Sequence, residues 1–358
     1  MRFLTGLSRL GQGRPSASST KEPSIRKRRF SPSTTSRPPS RRNAATISAI
    51  LAVLMVGGNI PAASAGTVTS TIRVGPNPVG VAFSPDGSKA YVTSHGSDTV
   101  SVVDVASGTA SSAIPVGDAP TSVAFTPDGS KAYVTNQISG TVSVVDVASG
   151  TVSTIPVGDG AYGVAVSPDG SKAYVTNNRS DTVSVIKVLS GTLTSTIPVS
   201  AIPRNVAFTP DGLRAYVISS GVDVIDVASG TVISTISVGQ NPFGVVFTPD
   251  GSKAYVTNFG SSGTHTVSVI DAASGTVRST IPVGSGPMNV AITPDGSTAY
   301  VANYLSHTVS AIDVASGSVT STILVGLGPV DVAFTPGGSA AYVTSNTSGV
   351  VSVIRQGT

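Results

Sequence analysis

The chain's 358 residues suffice for one large core or two domains, and the absence of cysteine excludes covalent haem attachment, a thiol nucleophile and a disulfide-stapled fold. Only 11% of residues are charged and 39 are glycine, while Val, Thr, Ser and Ala are abundant, which favours β-strands joined by tight turns over disorder. The formal charge of +4 joins two opposed regions: residues 1–65 hold eleven Lys or Arg against Glu22 alone, whereas 66–358 hold seventeen Asp, eleven basic residues and no Glu. The basic excess belongs to the leader, so the remainder lacks the electrostatic footprint of a nucleic-acid binder, and no such partner is expected.

Residues 1–43 form a basic leader whose Ser-, Pro-, Thr- and Arg-rich stretch 10–42 shows no apolar periodicity and reads as disordered. Arg41-Arg42, an apolar run from Ala44 to Gly58, and Ala63-Ser64-Ala65 follow in the order of a secretory signal peptide, which assigns 44–65 to that signal with cleavage after Ala65. The apolar run is shorter than the roughly 20 residues of a comfortable membrane span, and the rival reading is an uncleaved N-terminal anchor. Ser40-Arg41-Arg42 partly matches a twin-arginine signal, although Asn43-Ala44-Ala45-Thr46 lacks the hydrophobic pair expected next. A secreted, periplasmic or cell-surface protein is expected, touching the membrane only during export.

From residue 66 onward a single unit repeats. The turn Pro-Asp-Gly stands at Pro85, Pro127, Pro168, Pro210, Pro249 and Pro294, with Pro-Gly-Gly at Pro336, at spacings of 42, 41, 42, 39, 45 and 42 residues. A period near 40 with strand patterning signals a propeller or solenoid. In the first copy the strand candidates are Val81-Ala82-Phe83, Ala90-Tyr91-Val92-Thr93, Val100 to Val105, and Ser112 through Val116-Gly117. The seventh copy lacks a fourth strand, and Thr67 to Val74, ahead of the first copy, matches it. The fold expected over 66–358 is therefore all-β: a seven-bladed β-propeller of four-stranded antiparallel blades, closed by an N-terminal strand that completes the last blade.

The second strands read Tyr91-Val92-Thr93-Ser94, Tyr133-Val134-Thr135-Asn136, Tyr174-Val175-Thr176-Asn177, Tyr216-Val217-Ile218-Ser219, Tyr255-Val256-Thr257-Asn258, Tyr300-Val301-Ala302-Asn303 and Tyr342-Val343-Thr344-Ser345. With the Pro-Asp-Gly-Ser-Lys turns, this resembles the YVTN-repeat β-propeller family, which includes YncE-like proteins and propeller modules of archaeal surface-layer proteins. The resemblance covers essentially all of 66–358. It implies a seven-bladed, exported or surface-bound propeller and leaves the chemistry open.

Residues recurring in every blade are read as structural. The seven tyrosines, with Phe83, Phe125, Phe208, Phe247 and Phe334, are expected between blades, and Asp104, Asp146, Asp226, Asp271 and Asp313 are expected to cap the Ser-Gly-Thr turns. Function is sought where blades differ. At the entry to the first strand, two positions before the repeated Val-Ala, stand Val79, Thr121, Tyr162, Arg204, Phe243, Met288 and Val330, expected to ring the mouth of the central channel. The next position holds Gly80, Ser122, Gly163, Asn205, Gly244, Asn289 and Asp331. From these rings Tyr162, Arg204, Asn205, Phe243, Met288, Asn289 and Asp331 are candidate ligand contacts, joined by the off-pattern loop aromatics Phe259 and Tyr304 on the same face.

All three histidines, His95, His265 and His307, also fall in loops of this face. His265 and His307 occupy a position held elsewhere by Asp98, Gly140, Asp181 or Gly349, so a left-handed turn accounts for both without a metal; the three could otherwise converge on zinc or copper. No Gly-x-Ser-x-Gly elbow, phosphate loop or calcium loop is present, and no catalytic residue, metal or cofactor is assigned. The expected protein is a monomeric, non-enzymatic propeller that binds a small molecule, a glycan or a protein through its channel-mouth face. The alternatives are a lactonase-like hydrolase or an oxidoreductase using that face, and a surface-layer or adhesion module.

Overall fold

The computed structural model describes residues 66–261 and 263–355. The chain divides into two units, 1–59 and 60–358, and the described residues all belong to the second. The leader, the apolar run and the cleavage site lie outside the described residues.

Twenty-eight strands and no helix occupy the described residues, arranged as seven four-stranded antiparallel sheets. Blade 1 comprises Pro78–Phe83, Lys89–Ser94, Thr99–Asp104 and Thr109–Pro115, and the next five blades repeat this order. Blade 7 takes Pro329–Phe334, Ala340–Ser345 and Val350–Arg355 from the C-terminal end and Thr67–Arg73 from the N-terminal end. The register runs from Thr67 opposite Arg355 to Arg73 opposite Val350, so the ring closes as the repeat arithmetic demands.

The repeated residues build this frame. Each Pro-Asp-Gly turn places its Gly in the left-handed region, Gly87 at φ 70°. The turn carboxylate accepts its neighbours' donors: Asp86 Oδ1 takes the Ser84 hydroxyl at 2.5 Å and the Ser88 N–H at 3.0 Å. These bonds, led by Ser84, lower the Asp86 pKa to about 2. At the other turns of this face Asp104 caps the Ser107 N–H at 2.8 Å, and Asp146, Asp226, Asp271 and Asp313 act alike. The tyrosine of one blade meets the phenylalanine of the next edge to face or tilted, as in Tyr91–Phe125 and Tyr342–Phe83, with centroids 4.8 Å apart. Seven apolar clusters result, each fusing two neighbouring blades; Tyr133, Ile155, Val164 and Val175 share one of them.

The first strands start earlier than their apolar core predicts, at Pro78 rather than Val81, because they carry a β-bulge. Pro78 pairs with Ser94 and Val81 with Val92, so Val79 and Gly80 together face Thr93 alone. The Thr93 hydroxyl receives the Gly80 N–H at 2.7 Å and donates to the Thr121 carbonyl of blade 2 at 3.0 Å. Thr135 reaches the Tyr162 carbonyl at 2.7 Å, Thr344 reaches that of Val79 at 2.6 Å, and Thr176 and Thr257 reach those of Arg204 and Met288. The repeated threonine thus pairs a bulge N–H and staples the next blade.

Blade 4 departs from this plan. Ile218 replaces the threonine and offers no hydroxyl, so Arg204 and Asn205 face it through backbone bonds alone, at 2.7 and 2.8 Å. Its first strand shrinks to Val206–Phe208. Asp223, fully buried, replaces the serine of the third strands and accepts four bonds, from the Ser200 N–H and from the hydroxyls of Ser200, Ser219 and Thr235. Four donors keep that buried carboxylate satisfied.

A candidate binding cup at the channel mouth

The bulges position the site. Each delivers two consecutive residues to the lumen, the first at the mouth and the second one step deeper. Five of the seven mouth residues, Val79, Thr121, Tyr162, Met288 and Val330, line a cavity of about 520 Å³. Asn77, His95, Gln137, Tyr304 and Asn346 complete its wall, and none of the ten is Lys, Arg, Asp or Glu. The rim is held by hydrogen bonds between loops: the His95 N–H donates to the Asn77 carbonyl at 3.1 Å, and the Asn346 side chain donates to the Pro78 carbonyl at 3.4 Å.

Arg204 and Phe243 fill the remaining arc of the mouth. The Arg204 guanidinium carbon lies 4.9 Å from the centre of the Phe243 ring, a cation–π contact. Phe243 in turn meets Tyr162 edge to face at 6.0 Å and 82°. Phe243 is buried by these neighbours, so it shapes the wall from behind. Burial pushes the Tyr162 hydroxyl up to about 12, Arg204 opposing the rise and Asp331 adding to it. Tyr162 is a neutral phenol at physiological pH.

One step deeper the lumen is crossed by a polar chain. Asn205 Nδ2 donates to Asn289 Oδ1 at 2.6 Å, and Asn289 hydrogen-bonds Asp331. Asp331 Oδ2 accepts the Val81 N–H of blade 1 at 2.9 Å, and Oδ1 accepts the Val332 N–H at 2.9 Å. Glycine makes room for this crossing: a Cβ at Gly244 would stand 2.5 Å from Asn289 Oδ1. The chain links blades 4, 6, 7 and 1 and gives the cup a polar floor. Desolvation raises the Asp331 pKa to about 6 against the three hydrogen bonds it accepts. The carboxyl therefore titrates within the physiological range, and its bond to Val81 also latches blade 7 to blade 1.

The structure thus brings Tyr162, Met288 and Tyr304 together on the cup wall, Arg204 and Phe243 beside it, and Asn205, Asn289 and Asp331 beneath it. Phe259 stands apart from the cup wall. Three extra residues lengthen its loop in blade 5, where His265 Nδ1 lies 2.7 Å from the Phe259 carbonyl and the two rings meet at 6.4 Å. The histidines do not gather: His95 lines the cup, His265 serves the blade 5 loop, and His307 Nδ1 accepts the Gly328 N–H at 3.1 Å. No group of three or more His, Cys, Asp or Glu suited to a metal occurs among the described residues. His307 adopts the left-handed turn expected of it, at φ 58°, whereas His265 is outside that region because its longer loop makes the turn elsewhere.

Gln137 and Asn346 are cup residues absent from the candidates named from the sequence. A signal existed. The position directly after the Tyr-Val-Thr-Asn column holds His95, Gln137, Asn178, Phe259, Tyr304 and Asn346, a planar side chain in six blades. The clefts on the opposite face lie instead between repeated turns, as at Pro210, Asp211 and Asp250.

Comparison with known proteins agrees with this architecture. The family profile described as Lactonase, 7-bladed beta-propeller matches residues 69–232, which run from within the N-terminal closing strand through blades 1 to 3 to the start of the last strand of blade 4. That segment includes Tyr162, Arg204 and Asn205 and ends before Asn289 and Asp331. Among solved structures, hydrazine synthase of Kuenenia stuttgartiensis is similar at 28% identity and a TM-score of 0.74, over 78% of this chain and 96% of that one. No curated protein matches the chain.

Proposed function

We propose that this chain is an exported propeller of the YVTN type whose channel-mouth cup binds a neutral, hydroxyl-rich small molecule, a sugar or the end of a glycan. The composition of the cup wall carries this reading. Asn77, Gln137 and Asn346 each offer an amide that donates and accepts, and Tyr162 and Tyr304 add aromatic surface. Amides match the paired donor and acceptor character of sugar hydroxyls, and aromatic rings match the apolar C–H face of a pyranose. The wall has no Lys, Arg, Asp or Glu to select an anion or a cation, and about 520 Å³ is within the range of small-ligand pockets, roughly 300–1,000 Å³.

A second reading is hydrolysis of a sugar lactone. A lactone is also neutral and hydroxylated and suits the same wall. This reading is favoured by the family match over 69–232 and by the Asp331 carboxyl at about 6 beneath the cup. Above that pH the Asp331 carboxylate would take a proton from an attacking water, Arg204 would stabilise the oxyanion that forms on the lactone carbonyl, and as that intermediate collapses and the ring C–O bond breaks the proton would pass from Asp331 to the departing alkoxide.

A thermal-shift screen of the full chain against neutral sugars, sugar acids and sugar lactones separates the readings. Binding expects a neutral sugar to raise the melting temperature in the wild type, not in Tyr304→Ala or Gln137→Ala, and still in Phe259→Ala. A hit insensitive to both cup substitutions, or none among the sugars, contradicts it. Acid release from a lactone that is lost in Asp331→Asn would establish the hydrolytic reading.

A further inference from the structure

The outer rim of the propeller is not uniform. In six blades the fourth strand carries a β-bulge against the third, between Val102 and Val103 in blade 1 and at the matching place in blades 3 to 7. Such bulges twist an exposed edge out of regular register and so discourage pairing with another chain. Blade 2 has none. Its outer strand Val152–Pro156 pairs with Thr141–Asp146 in unbroken register from Val145 opposite Val152 to Thr141 opposite Pro156. The missing bulge residue is the one that shortens this repeat to 41.

The register fixes which groups face outward. The Asp146 N–H bonds the Thr151 carbonyl at 2.9 Å and the Val157 N–H bonds the Gly140 carbonyl at 3.0 Å. Residues 151, 153, 155 and 157 therefore turn their backbone groups to the sheet, and Val152 and Thr154 turn theirs away. The strand contains no charged residue to guard this edge.

Two further departures occur at the same place. Leu189, 86% exposed, stands where other blades have Ala106, Ala148, Ala228, Ala273 and Ala315. Lys187 replaces the aspartate that caps the adjoining turn. A groove of about 410 Å³ runs along residues 151–155, bounded by Lys131, Asp146 and the turn 189–191.

We infer that this edge is a self-association surface, on which a second copy of the chain docks its own Val152–Pro156 strand antiparallel. A regular free edge is complementary to itself under two-fold rotation. With the axis at Ser153, Val152 of each copy faces Thr154 of the other, and these pairs exchange four backbone hydrogen bonds. Pro156, with no N–H to give, ends the ladder on both sides. Leu189 of each copy covers the joined strands, and Lys131 and Asp146 leave the groove without net charge to oppose the approach. Four hydrogen bonds and two leucines make a small interface, so the dimer forms at micromolar concentrations or above.

Sedimentation velocity of the full chain from micromolar to sub-millimolar concentration tests this. A monomer–dimer equilibrium is expected in the wild type. Thr154→Lys, and insertion of one serine between Ser153 and Thr154 to restore the bulge, should each weaken it by about tenfold or more, with circular dichroism and melting unchanged. If the insertion disturbs the blade, Thr154→Lys alone decides, since its side chain is exposed. A monomer at every concentration, the state expected from the sequence, would overturn the inference, as would a dimer that survives Thr154→Lys.

Discussion

Asp331 combines two roles that pull in opposite directions. Its carboxylate oxygens accept the N–H groups of Val81 and Val332, and so favour the charged form; burial in the lumen disfavours that form and wins. A rise from 3.8 to about 6 corresponds to about 3 kcal/mol as an upper bound. The sign follows from linkage: the folded protein holds a proton that the unfolded chain has released, so the contribution is fully present below about pH 4 and is lost as pH rises through 6. Chemical denaturation from pH 4 to 7 should show the wild type losing stability relative to Asp331→Asn by up to that amount. A difference that stays flat with pH would mean that the carboxyl is solvated by the channel. Ile202 shows strain of another kind: its repeat position demands positive φ, and a β-branched residue sits there at 58°.

At the scale of the element, the threonine of the second strand works as a connector. In blade 2, Thr135 receives the Ser122 N–H at 3.0 Å and donates to Tyr162 in blade 3 at 2.7 Å. Thr135→Val keeps the shape and removes both bonds; the Tyr162 carbonyl keeps the Thr121 hydroxyl at 2.7 Å, so the Ser122 N–H is the group left unpaired, which should cost about 1–2 kcal/mol in urea denaturation. An unchanged midpoint would show that the bulge and not the hydroxyl joins the blades. The same element explains what could be read from sequence. The Pro-Asp-Gly turns, the Tyr–Phe packing and the Asp caps recur, so alignment of the copies exposes them and the fold with them. The mouth ring was legible for the same reason, because it occupies one column. The open arc of the cup was not, since it depends on Arg204 lying over Phe243 and Phe243 against Tyr162. Those contacts join three blades and leave no spacing in the chain. Phe259 shares a column with Tyr304, but its loop is three residues longer.

At the scale of the whole molecule, one strand from the start of the propeller holds the ring shut. Thr67–Arg73 pairs along the full length of Val350–Arg355, and Ile72 enters the apolar cluster between blades 7 and 1. Removing 67–73 should expose the edge of Val350–Arg355, lower the melting temperature and promote aggregation. Equal melting temperatures would contradict the closure. The closed ring also explains why the cup is asymmetric on a symmetric frame. Two columns of the repeat supply equivalent positions: Asn205, Asn289 and Asp331 floor the lumen, Arg204 and Phe243 fill one side, and Val79, Thr121, Tyr162, Met288 and Val330 line the recess. The cup is thus a polar, nearly charge-free recess built from repeat positions freed from packing. Titration calorimetry of the full chain with the best neutral sugar, in the wild type and in Tyr304→Ala, tests this account most directly. It predicts saturable one-to-one binding that Tyr304→Ala weakens by about tenfold or more; equal affinity in both proteins would contradict it.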